Sequence, residues 1–217
     1  MSLMGRKEVL TGKAKFGIFG DGKELPQIAM AKVFQNGDFR SGYYRDQTFM
    51  LASNLVTIEQ LFAQLYANPS LEDDPHTAGR QMNNHFATRN LEPNGNWKIL
   101  KNKKNKAADN SPTAKKYRQL NESLRDNIFS NNGNEICFAT IGDASTSEGL
   151  FWETINAAGV QQVPLVVSIW DDGYGISVSK KYQNAKENLS EILSGWEMDE
   201  TNNKKGIKIF RTKGWDY

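Results

Sequence analysis

Two aspartates, Asp143 and Asp172, follow short apolar runs and are surrounded by small, turn-forming residues, in Gly142-Asp143-Ala144-Ser145-Thr146-Ser147 and in Asp171-Asp172-Gly173-Tyr174-Gly175. They stand 29 residues apart, about the length of two strand ends linked by one crossover helix. If both loops share a rim, two carboxylates and neighbouring carbonyl oxygens offer a hard divalent cation such as Mg²⁺ what it prefers, and that ion commonly bridges protein oxygens to phosphate oxygens. Amides of the first loop, and the amino end of a helix starting near Ser147, could then face the phosphates. The same aspartates could equally be turn caps, a routine use of Asp, and spacing alone does not separate the two readings.

The elements that must position them are legible around the loops. Residues 136–141 and 165–170 are short apolar runs bounded by turn formers, as buried strands are. Between them, residues 148–160 place Leu150, Phe151, Ile155, Ala158 and Gly159 at helical spacing, and Gln161-Gln162-Val163-Pro164 breaks the helix. Strand, loop, helix, turn, strand predicts a right-handed βαβ unit in a parallel sheet, with both loops on its carboxyl edge. Upstream, a helix is expected to start at Pro26 and run through Ile28, Ala29, Ala31 and Phe34. Thr57-Ile58-Glu59-Gln60 reads as a capping box ahead of an apolar stripe of Leu61, Phe62, Leu65 and Tyr66. Residues 91–112, with Lys98, Lys101, Lys103, Lys104 and Lys106, read as a solvated surface loop. Residues 207–210 look like a strand.

Composition narrows the class. With 217 residues, 38% hydrophobic and 24% charged, the chain can bury its own core. Its 27 Lys and Arg against 25 Asp and Glu are too balanced for a dedicated nucleic-acid or membrane-surface binder. No apolar run approaches the roughly 18 residues of a membrane span, and no signal-peptide order opens the chain, so the expected location is cytoplasmic. The single cysteine, Cys137, is expected to be a small buried hydrophobe, which leaves no disulfide or Cys-based metal site.

Gly142-Asp143-Ala144-Ser145-Thr146-Ser147-Glu148-Gly149, then Glu153, Asn156, Ala157, Ala158, Pro164 and Asp171-Asp172-Gly173-Tyr174-Gly175-Ile176-Ser177, closely resemble the thiamine-diphosphate motif of 2-oxo acid dehydrogenase alpha subunits. Tyr44-Arg45, Gly79-Arg80-Gln81-Met82, His85-Phe86 and Ser111-Pro112-Thr113-Ala114 look like the same family, and the branched-chain 2-oxo acid type is nearest. The resemblance implies an α/β fold, a parallel sheet flanked by helices on both faces. It also implies that Asp143, the Asp172 side chain and the Tyr174 carbonyl bind Mg²⁺, which holds the diphosphate of thiamine diphosphate. Gly142, Ala144 and Ser145 would line the diphosphate. Tyr44, Arg45, Ser111 and Thr113 would contact the cofactor, and His85 would stand beside the reaction centre as the catalytic residue. The implied reaction is oxidative decarboxylation of a branched-chain 2-oxo acid or pyruvate, with transfer of the acyl group to the lipoyl arm of an acyltransferase. An acetoin-cleaving or transketolase-like enzyme, or a scaffold that has lost its cofactor, are the alternatives.

The match has departures. Ala144 replaces a motif glycine, a cost if the position needs positive φ. Asp172 replaces Asn, which adds attraction for Mg²⁺ and repulsion toward diphosphate. Trp170 stands where the branched-chain type often has arginine. The family continues after Ala114 with a Gly/Ala-rich helix, whereas this sequence jumps to Lys115-Lys116-Tyr117-Arg118, as a deleted or a mobile segment would leave it. The literal Gly20-Asp21-Gly22 is a decoy, because the position 29 residues after Asp21 is Met50. The aminopyrimidine half of the cofactor needs a glutamate from a beta subunit or a fused beta-like half, so the chain alone is expected to be inactive. Residues 1–217 are expected to be a single diphosphate-binding domain, incomplete at the C-terminus, with 1–40 as an N-terminal extension.

Overall fold

The computed structural model describes residues 1–81, 85–86, 92–96, 98, 102–106, 134–199, 201 and 205–216. In chain order its main elements are α1 (Ser2–Leu10), α2 (Glu24–Val33), β1 (Phe39–Ser41), α3 (Gln47–Ala52), α4 (Ile58–Leu65), β2 (Asn105–Lys106), β3 (Cys137–Gly142), α5 (Gly149–Gln161), β4 (Leu165–Trp170), the two-residue strands β5 (Tyr174–Gly175) and β6 (Val178–Ser179), and α6 (Leu189–Leu193). Strands β2, β1, β3 and β4 lie in that order in one sheet, and each neighbouring pair is parallel. The α/β fold expected from the sequence is therefore present.

Alternation along β3 shows how one strand serves two layers. Phe138 belongs to a buried cluster with Ala31 and Phe34 from the α2 region, Phe49 and Met50 of α3 and Leu61 of α4. Ile141, pointing the other way, packs with Phe151 and Ile155 of α5 and Leu193 of α6. Helices thus cover both faces. Phe34 meets Phe49 and Phe138 edge-on, with ring centroids 5.1 and 5.3 Å away, the geometry that aromatic quadrupoles favour. Residues from the first 40 also reach into the core, as burial of Phe19, Ala31 and Phe34 shows.

Helix α2 begins at Glu24, two residues before Pro26, so the proline sits in the first turn, where its missing N–H costs nothing. Helix α4 has the expected capping box: the Gln60 amide donates to the Thr57 hydroxyl at 3.2 Å, and the Thr57 amide donates to Gln60 Oε1 at 3.1 Å. Helix α5 stops where Gln162 turns left-handed at φ 51°, ahead of Pro164.

Three sequence expectations need correction. The lysine-rich stretch is more than a solvated loop: Asn105 is buried, Asn105 and Lys106 pair with β1, and Lys106 Nζ donates to the Leu55 carbonyl at 2.8 Å. Cys137 is half-buried rather than buried. Residues 207–210 form no strand; Ile207 makes an isolated parallel bridge to Glu197. No described helix is long and apolar enough to cross a membrane. The region around the suspected gap after Ala114 lies outside the described residues.

Candidate functional site

In the β3–β4 register Gly142 is opposite Trp170, so the next residues of both strands leave the sheet at the same level and from the same edge. There they border a cavity of about 430 Å³, within the roughly 300–1,000 Å³ of small-molecule sites. Gly142, Asp143, Ala144, Ser145, Asp172 and Tyr174 line it from the two loops, and Tyr44, Arg45 and His85 line it from the facing segments. Of the residues expected to form a site, these nine are brought together. Ser111 and Thr113 lie outside the described residues.

Asp143 is buried. Its Oδ2 accepts from the Gly173 amide at 3.1 Å, which the chain presents where Gly173 turns through φ +83°. Burial, and then the neighbouring Asp172 and Asp171 carboxylates, push the Asp143 carboxyl above the ordinary aspartate range. A divalent cation in this position would reverse that balance, because it favours the ionised form. Among the described residues no three His, Cys, Asp or Glu side chains form a metal site by themselves. A cation held by Asp143, Asp172 and the Tyr174 carbonyl would therefore need further oxygens from water or an anionic ligand, as Mg²⁺ bound to phosphates does. The donor set fits that ion.

Ala144 causes no backbone strain, since it lies in a 3-10 turn, Ala144–Ser147, and has no positive φ. This turn is inserted before α5, so the helix begins at Gly149 rather than near Ser147. Its methyl does constrain its neighbour: a Cβ on Gly175 would lie 2.6 Å from Ala144 Cβ. Thr146 Oγ1 donates back to the Asp143 carbonyl and pins the turn.

The facing wall is aromatic and cationic. Tyr43 packs against Tyr44 and Trp170, with centroids 4.9 and 5.4 Å away. Burial foremost, and then Asp46, push its phenol far above the ordinary range, so it stays neutral. The Arg45 guanidinium lies over the Tyr44 ring at 5.6 Å, and its Nη1 is 3.9 Å from Asp172 Oδ2. The His85 ring is 6.5 Å from that of Tyr44.

Behind this wall Arg40 and Asp46 form a buried ion pair. Arg40 Nε and Nη2 donate to Asp46 Oδ2 at 2.8 and 2.5 Å, and Thr140 Oγ1 lies 2.7 Å from both Asp46 oxygens. Gly42 must be glycine here, since a Cβ would come within 1.7 Å of Asp46 Oδ2. Sequence reading missed this pair, as well as Tyr43, Trp170 as a cavity residue, and Lys23, whose Nζ lies 3.0 Å from Asp172 Oδ2. None has a local periodicity or motif, although Lys23 directly follows the decoy Gly20-Asp21-Gly22.

The sequence matches the family model described as the dehydrogenase E1 component over residues 5–199. It is 28% identical over 191 residues to the 2-oxoisovalerate dehydrogenase subunit alpha of Bacillus subtilis (strain 168), an alignment covering 87% of this chain and 52% of that protein. The chain thus spans about half the length of that curated relative. With the match running through both strands, both acidic loops and the facing Tyr44-Arg45 segment, the chain belongs to the dehydrogenase E1 component family.

Proposed function

We propose that this chain is the diphosphate- and Mg²⁺-binding part of a 2-oxo acid dehydrogenase that oxidatively decarboxylates a branched-chain 2-oxo acid or pyruvate and passes the acyl group to lipoamide. The observation that carries the reading is the convergence of buried Asp143 with Asp172 at the ends of adjacent parallel strands, lining one cavity together with Arg45. Family membership and the alpha-subunit relative support the reaction class.

When bound, thiamine diphosphate supplies the nucleophile and the electron sink for decarboxylation. The chain's own residues bind and orient. Asp143, the Asp172 side chain and the Tyr174 carbonyl would hold Mg²⁺. Gly142, Ala144 and Ser145 would line the diphosphate, and Arg45 would grip its oxygens with a planar fork of donors. Ser111 and Thr113 would add the cofactor contacts that the family resemblance implies. Tyr44 and Trp170 keep water from the inner wall, which strengthens the interactions of every charge there. His85 holds or moves a proton at its ring nitrogen on the substrate side. A beta subunit or fused beta-like half supplies the remaining catalytic groups, and the lipoyl-bearing acyltransferase receives the product.

Calorimetry on the enzyme assembled with its partner half tests the reading. Thiamine diphosphate and Mg²⁺ together should give a saturable heat, and absence of heat at millimolar ligand would sink it.

A further inference from the structure

The loop with the decoy motif holds Asp21 in an ion pair with Arg6, yet the residue after it crosses to the site. Lys23 Nζ is 3.0 Å from Asp172 Oδ2, and its side chain is 16% exposed. It is not among the residues that line the cavity. Several contacts fix its position. The chain turns at Gly22, φ +79°, and the Lys23 amide donates to the Gly20 carbonyl at 3.1 Å. The Gly20 amide donates to Gln47 Oε1 at 2.7 Å, and a Cβ on Gly20 would come within 2.5 Å of the Arg45 carbonyl oxygen. Buried Gln27, one helical turn beyond Lys23, donates to that same Arg45 carbonyl at 3.1 Å and accepts from the Phe49 amide at 2.9 Å. Lys23 is therefore delivered onto Asp172 by a laced backbone, unlike a surface lysine whose ion pair must order a free side chain.

We infer that Lys23 is a positioning residue that occupies Asp172 and so leaves the Arg45 guanidinium free to grip a diphosphate. The inference rests on the reading under Proposed function. Asp171 has its own partner, Lys180, at 2.8 Å, and Asp143 accepts from a main-chain amide. Asp172 has Lys23 at hydrogen-bond distance and Arg45 at 3.9 Å, close but outside it. Without the lysine, the Asp172 oxygen that Lys23 holds is open to Arg45, the nearest remaining cationic side chain among the described residues. Opposite charges at such separations attract strongly at a partly desolvated rim, so Arg45 would turn to the carboxylate. The ligand would lose its fork of donors.

The test uses the assembled enzyme and two probes, thiamine diphosphate with Mg²⁺ and inorganic pyrophosphate with Mg²⁺, both followed by calorimetry. Lys23→Gln should weaken both by about tenfold, the scale of losing one close charge partner. Lys23→Arg should stay within about twofold, and Lys23→Gln made in an Arg45→Gln background should cost less than about twofold further, because the guanidinium that Lys23 frees is already gone. A lysine with a merely structural role would weaken binding equally in either background. Unchanged affinity in Lys23→Gln, or an equal loss in the Arg45→Gln background, overturns the inference and leaves the proposed function standing. Failure of the parent enzyme to bind either probe overturns both.

Discussion

Asp143 pairs burial with a carboxyl raised above its usual range, by desolvation first and by Asp172 and Asp171 next. Between the unfolded value and the raised folded value, the folded chain keeps a proton that the unfolded chain has released. In that window stability falls as pH rises, and the cost persists at neutral pH. Asp143→Asn removes the charge while its amide oxygen can still accept from Gly173. The ligand-free variant should gain about 1 kcal/mol at neutral pH, as relief of a destabilised functional site commonly does. Its stability should vary less from acidic to neutral pH, and Mg²⁺ with thiamine diphosphate should no longer raise its melting temperature. Thermal melts across pH, with and without the ligand, measure all three effects; a variant less stable than the parent would refute the account. Asp143 and Asp172 were legible in the sequence because strand–helix–strand spacing is a short-range signal. Lys23 was not, because 149 residues separate it from Asp172 and nothing local marks a lysine that ends a turn.

At the scale of elements, the floor behind the cavity depends on a charge pair linking β1 to the start of α3, with Thr140 of β3 as a third partner. Arg40 and Asp46 are both almost fully buried, and Phe86 lies under the guanidinium at 5.3 Å. Asp46→Ala would remove the carboxylate that receives buried Arg40 through two N–H groups and should cost about 3–5 kcal/mol, read by urea denaturation. A loss near the level of a surface substitution would show that water or another group compensates. The capping box of α4, the helix α5 and strand β4 were readable because each is specified by residues a few positions apart. Strand β2 was not, since its two residues are ordered by pairing with β1, over sixty positions upstream. Residues 207–210 show the converse: an apolar alternation does not make a strand without a neighbour along its length.

For the whole molecule, β4 is the outer strand of the described sheet next to β3, and Val166 on it is 41% exposed. The cavity rim is also apolar and open, with Ile176 98% exposed. Both fit the larger enzyme proposed above, and on that proposal the isolated 217 residues should release no CO₂ from branched-chain 2-oxo acids or pyruvate, whereas the enzyme assembled with its partner half should. Turnover by the isolated chain would contradict this. One joint at the site is made by uncharged groups: Gln27 and Gln47 tie residues 18–27 to residues 44–49 through side-chain amides. Hydrogen bonds of this kind neither titrate nor attract counterions. That joint should therefore stay aligned across the salt and pH ranges that disturb exposed ion pairs, so the ionic-strength response of ligand binding will carry little contribution from residues 18–27 loosening from residues 44–49.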